Sequence, residues 1–222
     1  MKFKELANQE KPEHVWERVI WNILWNILIR PFPRRMALRW ERPILRLLGA
    51  KIHPTAHIYS STKIWCPSNL IMEEYTILGD HVEVFNNALV HLKANACVSQ
   101  HCSICPGTRS TTNEDFGHVM APIIIGERVW VGAYSFLGYG TIIGREAVIG
   151  AGTVIRNVVP PYSTLIGNPA KIVGFRYSLE EIIERENKLY PDRSPISAEL
   201  LEKNYNKYFL KRIKEIKEFT KL

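Results

Sequence analysis

The 222-residue chain has only four cysteines, and this scarcity limits the metal sites and disulfide frameworks it could build. Cys102 and Cys105 alone have the spacing of zinc ligands, and no second pair follows them. Because structural zinc sites usually need two such pairs, we expect Cys66, Cys97, Cys102 and Cys105 to be small buried side chains and predict no metal. A signal-peptide pattern is also missing, so we expect a cytoplasmic protein with reduced thiols.

Long hydrophobic runs are missing as well. The most apolar stretch, residues 19–29, is interrupted by Asn22 and Asn26. It is far shorter than the ~20 apolar residues that a membrane-spanning helix needs. The sequence therefore does not predict a transmembrane protein.

Acidic residues are scarce in one region. The net charge is +7, and residues 30–51 contain seven basic residues against one acidic residue, a local net charge of +6. No DNA- or RNA-binding motif accompanies this charge, so we expect no nucleic-acid partner and interpret it as a surface contact.

The first 48 residues have the spacing of helices. Trp21, Leu24, Trp25 and Leu28 recur at helical intervals, and the prolines that follow end the helix. Two compatible interpretations stay open. The helix could cover one end of the body that follows, or its tryptophans and the nearby arginines could make a peripheral contact with an anionic membrane surface.

Residues 49–177 are dominated by a six-residue period in which an aliphatic residue precedes glycine. The clearest examples are Ile125-Gly126, Val131-Gly132, Leu137-Gly138, Ile143-Gly144 and Ile149-Gly150. Each hexad directs one aliphatic and one smaller side chain inward, because residues i and i−2 of a strand share a side. Three hexads would close a triangular coil of 18 residues, and stacked coils would bury a continuous column. The pattern predicts a mainly β fold, a parallel β-helix.

Two segments leave this period. Residues 109–121 interrupt it, and long excursions from a rigid repeat are usually functional. Residues 178–222 are expected to be helical, with Ser178 and Glu181 forming a capping box. A second helix from Ser197 would carry an apolar stripe. Its members are Leu201, Tyr205, Phe209, Ile213 and Ile216.

Several stretches resemble the left-handed β-helix acyltransferases with hexapeptide repeats, and most closely the colanic-acid and capsule-type O-acetyltransferases. They are "RPFPRR", "LRLLGAKI", "HIYSSTKIW", "APIIIGERVWVGAYSFLGYGTIIGREAVIGAGTVI" and "VPPYSTLIGNPAKIVGF". The resemblance implies a homotrimer that binds acetyl-CoA between neighbouring prisms. It also implies O-acetylation of a saccharide in surface-polysaccharide biosynthesis, with an acceptor that could be lipid-linked at the inner membrane face.

The family's acceptor hydroxyl is usually activated by a histidine just before the extended loop, in a Gly-Ser-His-Asp setting. Here that stretch reads Gly107-Thr108-Arg109-Ser110. A guanidinium stays protonated, so Arg109 cannot be the base, although it could hold an anion or stabilise an oxyanion. His91, His118 and His101 are the candidate bases. His91 lies 18 positions before Arg109, which predicts that the two stack on adjacent coils.

For the donor, the resemblance implies glycine-rich backbone beside a pantetheine arm and cations near the CoA phosphates. The candidate cofactor-binding residues are Trp130, Gly132, Gly138, Gly150, Ala151, Arg156, Lys171 and Arg176. An alternative is a catalytically impaired binding or scaffold protein, because Arg109 replaces the usual histidine. A β-helix carbonic anhydrase is disfavoured, because it needs a His-x4-His pair that this chain lacks.

Overall fold

The structure is a computed structural model, and it describes residues 14–112, 116–191, 196–204 and 206–207. Its helical elements are α1 (Val15–Leu24), a π-helical turn (Trp25–Ile29), α2 (Arg34–Leu47), a 3-10 turn (Pro67–Asn69), α3 (Leu179–Leu189) and α4 (Ala198–Asn204). The helices thus flank a central β region. Most of the expected C-terminal stripe, from Tyr205 onwards, lies outside the described residues.

The β region consists of short strands. In chain order they are β1 (Lys51–Ile52), β2 (His57–Ile58), β3 (Lys63–Ile64), β4 (Leu70–Met72), β5 (Ile77–Leu78), β6 (Glu83–Val84), β7 (Val90–Leu92), β8 (Cys97–Val98), β9 (Ser103–Ile104), β10 (Gly107–Arg109), β11 (His118–Met120), β12 (Ile123–Ile125), β13 (Trp130–Val131), β14 (Phe136–Leu137), β15 (Ile142–Ile143), β16 (Val148–Ile149), β17 (Val154–Ile155), β18 (Val158–Val159), β19 (Ser163–Ile166) and β20 (Lys171–Phe175).

These strands form three parallel faces of a solenoid with about six turns. Face A is β1-β4-β7-β12-β15-β18, face B is β2-β5-β8-β13-β16-β19, and face C is β3-β6-β9-β14-β17. In the described part of the chain, two antiparallel pairs depart from this pattern: β20 closes the end of face B beside β19, and β10 pairs with β11 outside the faces. The predicted β-solenoid with terminal helices is confirmed.

Each face carries one aliphatic ladder into the core. The ladders are Ile52, Met72, Leu92, Ile125, Ile143 and Val159 on face A; Ile58, Leu78, Val98, Val131, Ile149 and Leu165 on face B; and Ile64, Val84, Ile104, Leu137 and Ile155 on face C. All of them are buried, and so are most of the residues two positions earlier, among them Val129, Ser135, Thr141, Ala147 and Thr153. The inward pair predicted for each hexad is therefore present.

Several of the glycines that follow an aliphatic residue are required by the close approach of the neighbouring coil. A Cβ at Gly132 would lie 2.6 Å from the amide nitrogen of Ala151, and one at Gly126 would lie 2.6 Å from the carbonyl oxygen of Ile143. Backbone atoms of the next turn cannot yield to such a contact. Glycine at these positions therefore allows successive coils to approach each other without a steric clash.

The coil length is not constant. Ile125 pairs with Ile143, 18 positions later, as the hexads predict. Earlier coils are longer, because Met72 lies 20 positions after Ile52 and 20 before Leu92. In the first coil, the 3-10 turn Pro67–Asn69 lies within the added corner.

Helices α1 and α2 cover the first coil. Trp21 is 2% exposed, and its indole N–H donates to the carbonyl of Ile64 at 2.8 Å. Trp25 is also buried, and Arg46 Nε donates to the carbonyl of Ile52 at 2.7 Å. The expectation that this segment covers the end of the body is met by these contacts. Among the described residues, no helix has both the length and the apolar character needed to cross a bilayer.

Helix α3 is held against the last coils by buried charges. Glu186, 2% exposed, accepts bonds from Arg145 and from the hydroxyl of Tyr162. Glu146, 1% exposed, accepts from Arg176 at 3.0 Å and from Arg185 at 3.2 Å. The predicted capping box at Ser178 and Glu181 is also present.

Candidate active site

The excursion from the solenoid is a β-hairpin at the corner between faces C and A. Strands β10 and β11 pair in antiparallel register, and Gly107 begins the first of them. A Cβ at Gly107 would press on the side-chain amide of Asn87 on the coil below. Glycine at this position therefore lets the hairpin leave the corner close to the solenoid wall.

Arg109 and His118 are directly opposite each other in this hairpin. The flanking pair is joined by a bond from the amide of Ser110 to the carbonyl of Gly117 at 2.9 Å. By antiparallel alternation, Arg109 and His118 then form a non-hydrogen-bonded pair, whose Cβ atoms lie about 4.5–5.5 Å apart on one side of the ribbon. Both are exposed, and one guanidinium nitrogen of Arg109 lies 3.4 Å from the carbonyl of Phe116. A cation and an imidazole thus share one surface.

His91 does not stack on Arg109, and the prediction that the two are on adjacent coils is wrong. The residue above His91 on face A is Ile124, and the residue below it is Ile71. The physical reason is that the chain leaves the solenoid after β9 and rejoins face A only at β12, so counting by 18 fails across the excursion.

The His91 imidazole has its own carboxylate partner. Its Nε2 lies 2.8 Å from Glu73, which also accepts the backbone N–H of Ala94 at 2.9 Å. This arrangement fixes the ring on face A. Pattern reasoning missed Glu73, although it lies 18 positions before His91. A catalytic role for His91 stays a prediction.

His101, the third candidate base, lies on a different corner. Its ring stacks between His81, at a centroid distance of 5.0 Å, and Tyr134, at 4.8 Å. The three residues occupy equivalent left-handed corner positions between faces B and C, with φ values of 53°, 57° and 60°. His101 therefore belongs to a surface stack that is separate from the hairpin.

One group of candidate cofactor residues lies on face B and at its corner with face C. Trp130 is 55% exposed on face B, and its indole N–H donates to Ser99 at 3.0 Å. Gly150 and Ala151 follow the next strand of the same face. Gly132 is on this side too, but its amide bonds to Ile149 and its carbonyl accepts from Cys102 and Ser135. The main-chain groups of Gly132 are therefore engaged inside the chain.

A second group is elsewhere. Gly138 follows the face C strand β14, and Arg156 is beside it, with a side-chain carbon that would lie 3.1 Å from a Cβ at Gly138. Lys171 is exposed at the start of β20, opposite Ile166. Arg176 is engaged by the buried Glu146, so the structure gives this guanidinium a role in attaching the C-terminal helix.

The candidate residues are thus divided between two sides of one prism. The hairpin, Gly138 and Arg156 are at the corner between faces C and A, whereas Trp130 and Ala151 are on or beside face B. In a three-sided column, face B is the side opposite that corner. One chain alone therefore does not bring Arg109 next to Trp130.

The thiols of Cys102 and Cys105 bond within the chain, to the carbonyls of Gly132 and Gly107. Cys102 points into the core, where burial raises the pKa of its thiol to about 11. Within the described residues, His14, Glu17 and Cys66 are the cluster with ligand atoms close enough to share an ion. Glu17 in this cluster already accepts the backbone N–H of Ser68 at 2.8 Å.

Comparisons with known proteins agree with this fold. The model for bacterial transferase hexapeptide (six repeats) matches residues 122–157. A protein of Escherichia coli K12 named "Putative colanic acid biosynthesis acetyltransferase WcaF" is 32% identical over 142 residues, which cover 64% of this chain and 78% of that protein.

Two solved structures share the architecture. A maltose O-acetyltransferase from Clostridium difficile 630 aligns over 79% of this chain and 96% of its own, with a TM-score of 0.63 and 17% identity. A hexapeptide-repeat acetyltransferase from Vibrio cholerae, complexed with acetyl-CoA, aligns over 80% of this chain and all of its own, with a TM-score of 0.57 and 17% identity. The hexad core agrees with the family model, and the match to WcaF covers 78% of that protein at 32% identity. This chain therefore belongs to the bacterial hexapeptide-repeat acetyltransferases.

Proposed function

We propose that this protein transfers the acetyl group of acetyl-CoA to a hydroxyl of a saccharide in surface-polysaccharide biosynthesis. The observation that carries the proposal is the hairpin, which pairs Arg109 with His118 at the position where the family places its catalytic histidine. The relation to a colanic acid acetyltransferase supports a saccharide acceptor. The acetyl-CoA complex of the Vibrio cholerae structure supports the donor.

In the proposed reaction, His118 is the general base. Its neutral imidazole accepts the proton of the acceptor hydroxyl, and the oxygen attacks the thioester carbonyl. The Arg109 guanidinium, always charged, stabilises the negative charge that develops on the carbonyl oxygen. The carbon–sulfur bond then breaks, an acetyl ester forms, and His118 returns the proton to the departing thiolate of CoA.

We further propose that the working form is a homotrimer in which each site is shared between two chains. Support comes from the division of the candidate residues, because the hairpin corner of one chain can meet face B of its neighbour. Outward apolar residues also favour self-association. Ile142 is 40% exposed and Val158 is 69% exposed on face A. A light-scattering mass three times the chain mass of 25.6 kDa would support this assembly.

The activity is tested with acetyl-CoA and oligosaccharide acceptors, by following thiol release and detecting the acetyl ester by mass spectrometry. His118→Ala should lower kcat by about 10²–10⁴-fold, the usual cost of removing a general base. His91→Ala is the matched control, since His91 is a carboxylate-bound histidine on face A, and it should keep most of the activity. The reverse result would transfer the catalytic role to His91.

Subunit mixing tests the shared site. His118→Ala and Trp130→Ala are each expected to be weakly active, because one removes the base and the other a wall of the donor cleft. When the two variants are unfolded, mixed and refolded together, some sites will receive an intact hairpin from one chain and an intact Trp130 from another. Activity should recover in the mixture. Absence of recovery would contradict a site shared between chains.

The replacement of histidine by Arg109 favours one other function, a CoA-binding scaffold without catalysis. Under that alternative, the wild-type protein binds CoA without acceptor-dependent thiol release, and Arg109→His is needed before transfer appears. Turnover by the wild-type protein that is lost in His118→Ala excludes this alternative.

A further inference from the structure

Helix α1 and the π-helical turn have two apolar sides. Trp21 and Trp25 are buried against the first coil, which leaves the opposite side of the helix away from the solenoid. At 3.6 residues per turn, that opposite side carries Trp16, Ile20, Ile23 and Ile27. Their exposed fractions are 78%, 46%, 52% and 62%. Four large apolar side chains in one row are far more than a solvated helix surface usually presents.

Helix α2 repeats this arrangement. Ala37, Glu41 and Leu45 are on its buried side, while Met36 and Leu47 on the opposite side are 48% and 86% exposed. Both helices are attached to the first coil, by the hydrogen bonds of Trp21 and of Arg46. Because their buried sides face the same end of the solenoid, their exposed sides face away from it together. We call the exposed apolar residues Trp16, Ile20, Ile23, Ile27, Met36 and Leu47 the basal surface.

Within residues 15–51, which carry the basal surface, the exposed charged side chains that the structure describes are cations. Residues 15–51 contain two carboxylates, and neither is free on the surface. Glu41 is 0% exposed, and Glu17, whose side chain is 15% exposed, accepts the backbone N–H of Ser68. The cations of this region include Arg30 and Arg39, which are exposed. An apolar row bordered by cations, with no exposed carboxylate in the described residues 15–51, is the pattern of a surface that lies on anionic lipid.

We propose that the basal surface docks on an anionic membrane surface, with the helices in the interfacial plane and the solenoid standing above them. The tryptophans that the sequence suggested for this contact, Trp21 and Trp25, attach the helix to the first coil instead. Trp16 and the isoleucines of α1 and the following turn supply the lipid contact. Lipid is favoured over a second copy because two basal surfaces would bring like charges together, whereas an anionic bilayer would neutralise them.

The test is co-sedimentation of the full chain with vesicles of phosphatidylcholine, with or without phosphatidylglycerol. Binding is expected only to the anionic vesicles, and it should weaken with salt, since electrostatic attraction is screened. Brominated phospholipid should quench the fluorescence of the wild-type protein and have a smaller effect on Trp16→Phe. The double variant Ile20→Ser with Ile23→Ser should lose about tenfold in the vesicle partition coefficient.

Leu200→Ser is the matched control. Leu200 is 49% exposed on α4 and is remote in sequence from the basal surface. Its substitution therefore replaces an exposed apolar side chain by serine at another site. This variant should bind vesicles as the wild type does. Equal losses in both variants, or binding that ignores lipid charge, would overturn the proposal. So would absence of vesicle binding together with a smaller light-scattering mass in the double variant, because a second copy would then cover the row.

Discussion

Substitution of Glu186 by glutamine removes the charge that holds α3 against the last coils of the solenoid. The carboxylate accepts from Arg145 Nε at 2.8 Å, from the Tyr162 hydroxyl and from the backbone N–H of Ile196 at 3.1 Å. Burial opposes the charged carboxylate, but the bonds from Arg145 and Tyr162 outweigh it and lower the pKa of Glu186. The variant would leave the Arg145 guanidinium, itself largely buried, without its counter-charge.

Removing one partner of a buried ion pair destabilises the folded state by about 3–5 kcal/mol. Glutamine keeps one carbonyl acceptor, so we expect the lower limit, about 3 kcal/mol. The apolar core under the helix is small, with Tyr162, Ile182 and Leu201 as its buried members. The helix should therefore detach locally while the solenoid stays folded, and its opening equilibrium should rise roughly 100-fold, since 1.4 kcal/mol is a factor of ten.

Hydrogen exchange measures this directly. Amides of α3 should lose about 100-fold in protection in Glu186→Gln, while those of strand β12 in the solenoid should be unchanged. Glu184→Gln is the control, because Glu184 is exposed on the same helix, and its effect should be within about 0.5 kcal/mol. Equal loss in both variants, or equal loss in α3 and β12, would refute the reasoning.

The same contact predicts a pH dependence. A carboxyl whose pKa is lower in the folded state stabilises that state above its ordinary pKa, near 4.5, and the stabilisation is lost as the pH falls through the lower folded value. Protection of α3 should therefore decrease below about pH 4.5 in the wild type. In Glu186→Gln, this acid-dependent component should be missing. An identical acid profile in the two proteins would contradict the assignment.

Two further predictions concern the solenoid itself. Gly132→Ala should destabilise the protein by about 1–3 kcal/mol in chemical denaturation, because the added methyl would press on the backbone of Ala151, whereas Gly138→Ala should cost less because its closest neighbour is the flexible side chain of Arg156. Cys102 should resist a thiol reagent at pH 8 until the protein is denatured, since its thiol is buried and its pKa is raised to about 11. Rapid labelling of Cys102 in the native protein, or equal costs for the two glycines, would contradict these expectations.

The solenoid could be predicted because its information is local. Each hexad carries its own inward pair, so residues such as Val131 and Ser135 were placed correctly without knowledge of distant partners. The buried charges were not predictable in this way. Arg145 and Glu186 are 41 positions apart, and no repeat relates them.

The candidate site was predicted only in part, because the sequence pattern reports local features and not the pairing of distant residues. The break in the six-residue period predicted the excursion. It did not predict how the two strands of the excursion pair, so the position of Arg109 opposite His118 was missed. Counting by 18 instead joined Arg109 to His91, because the count assumes an unbroken wall. The helical stripe of α1 was also ambiguous, since helical spacing alone does not say whether Trp21 or Trp16 faces the protein.

The neck of the hairpin has a consequence for how such a protein can change over evolution. The amide of Ala121 donates to the carbonyl of Pro106 at 3.0 Å, which joins the two ends of the hairpin. The amide of Ile123 then donates to the carbonyl of Leu89, so the chain resumes the ladder of face A directly after the hairpin. Because the two ends meet at one point, the cost of lengthening the insert grows only slowly with its size. New inserts could therefore be grafted or lost without rebuilding the stacked coils, and acceptor preference could diversify while the scaffold stays the same.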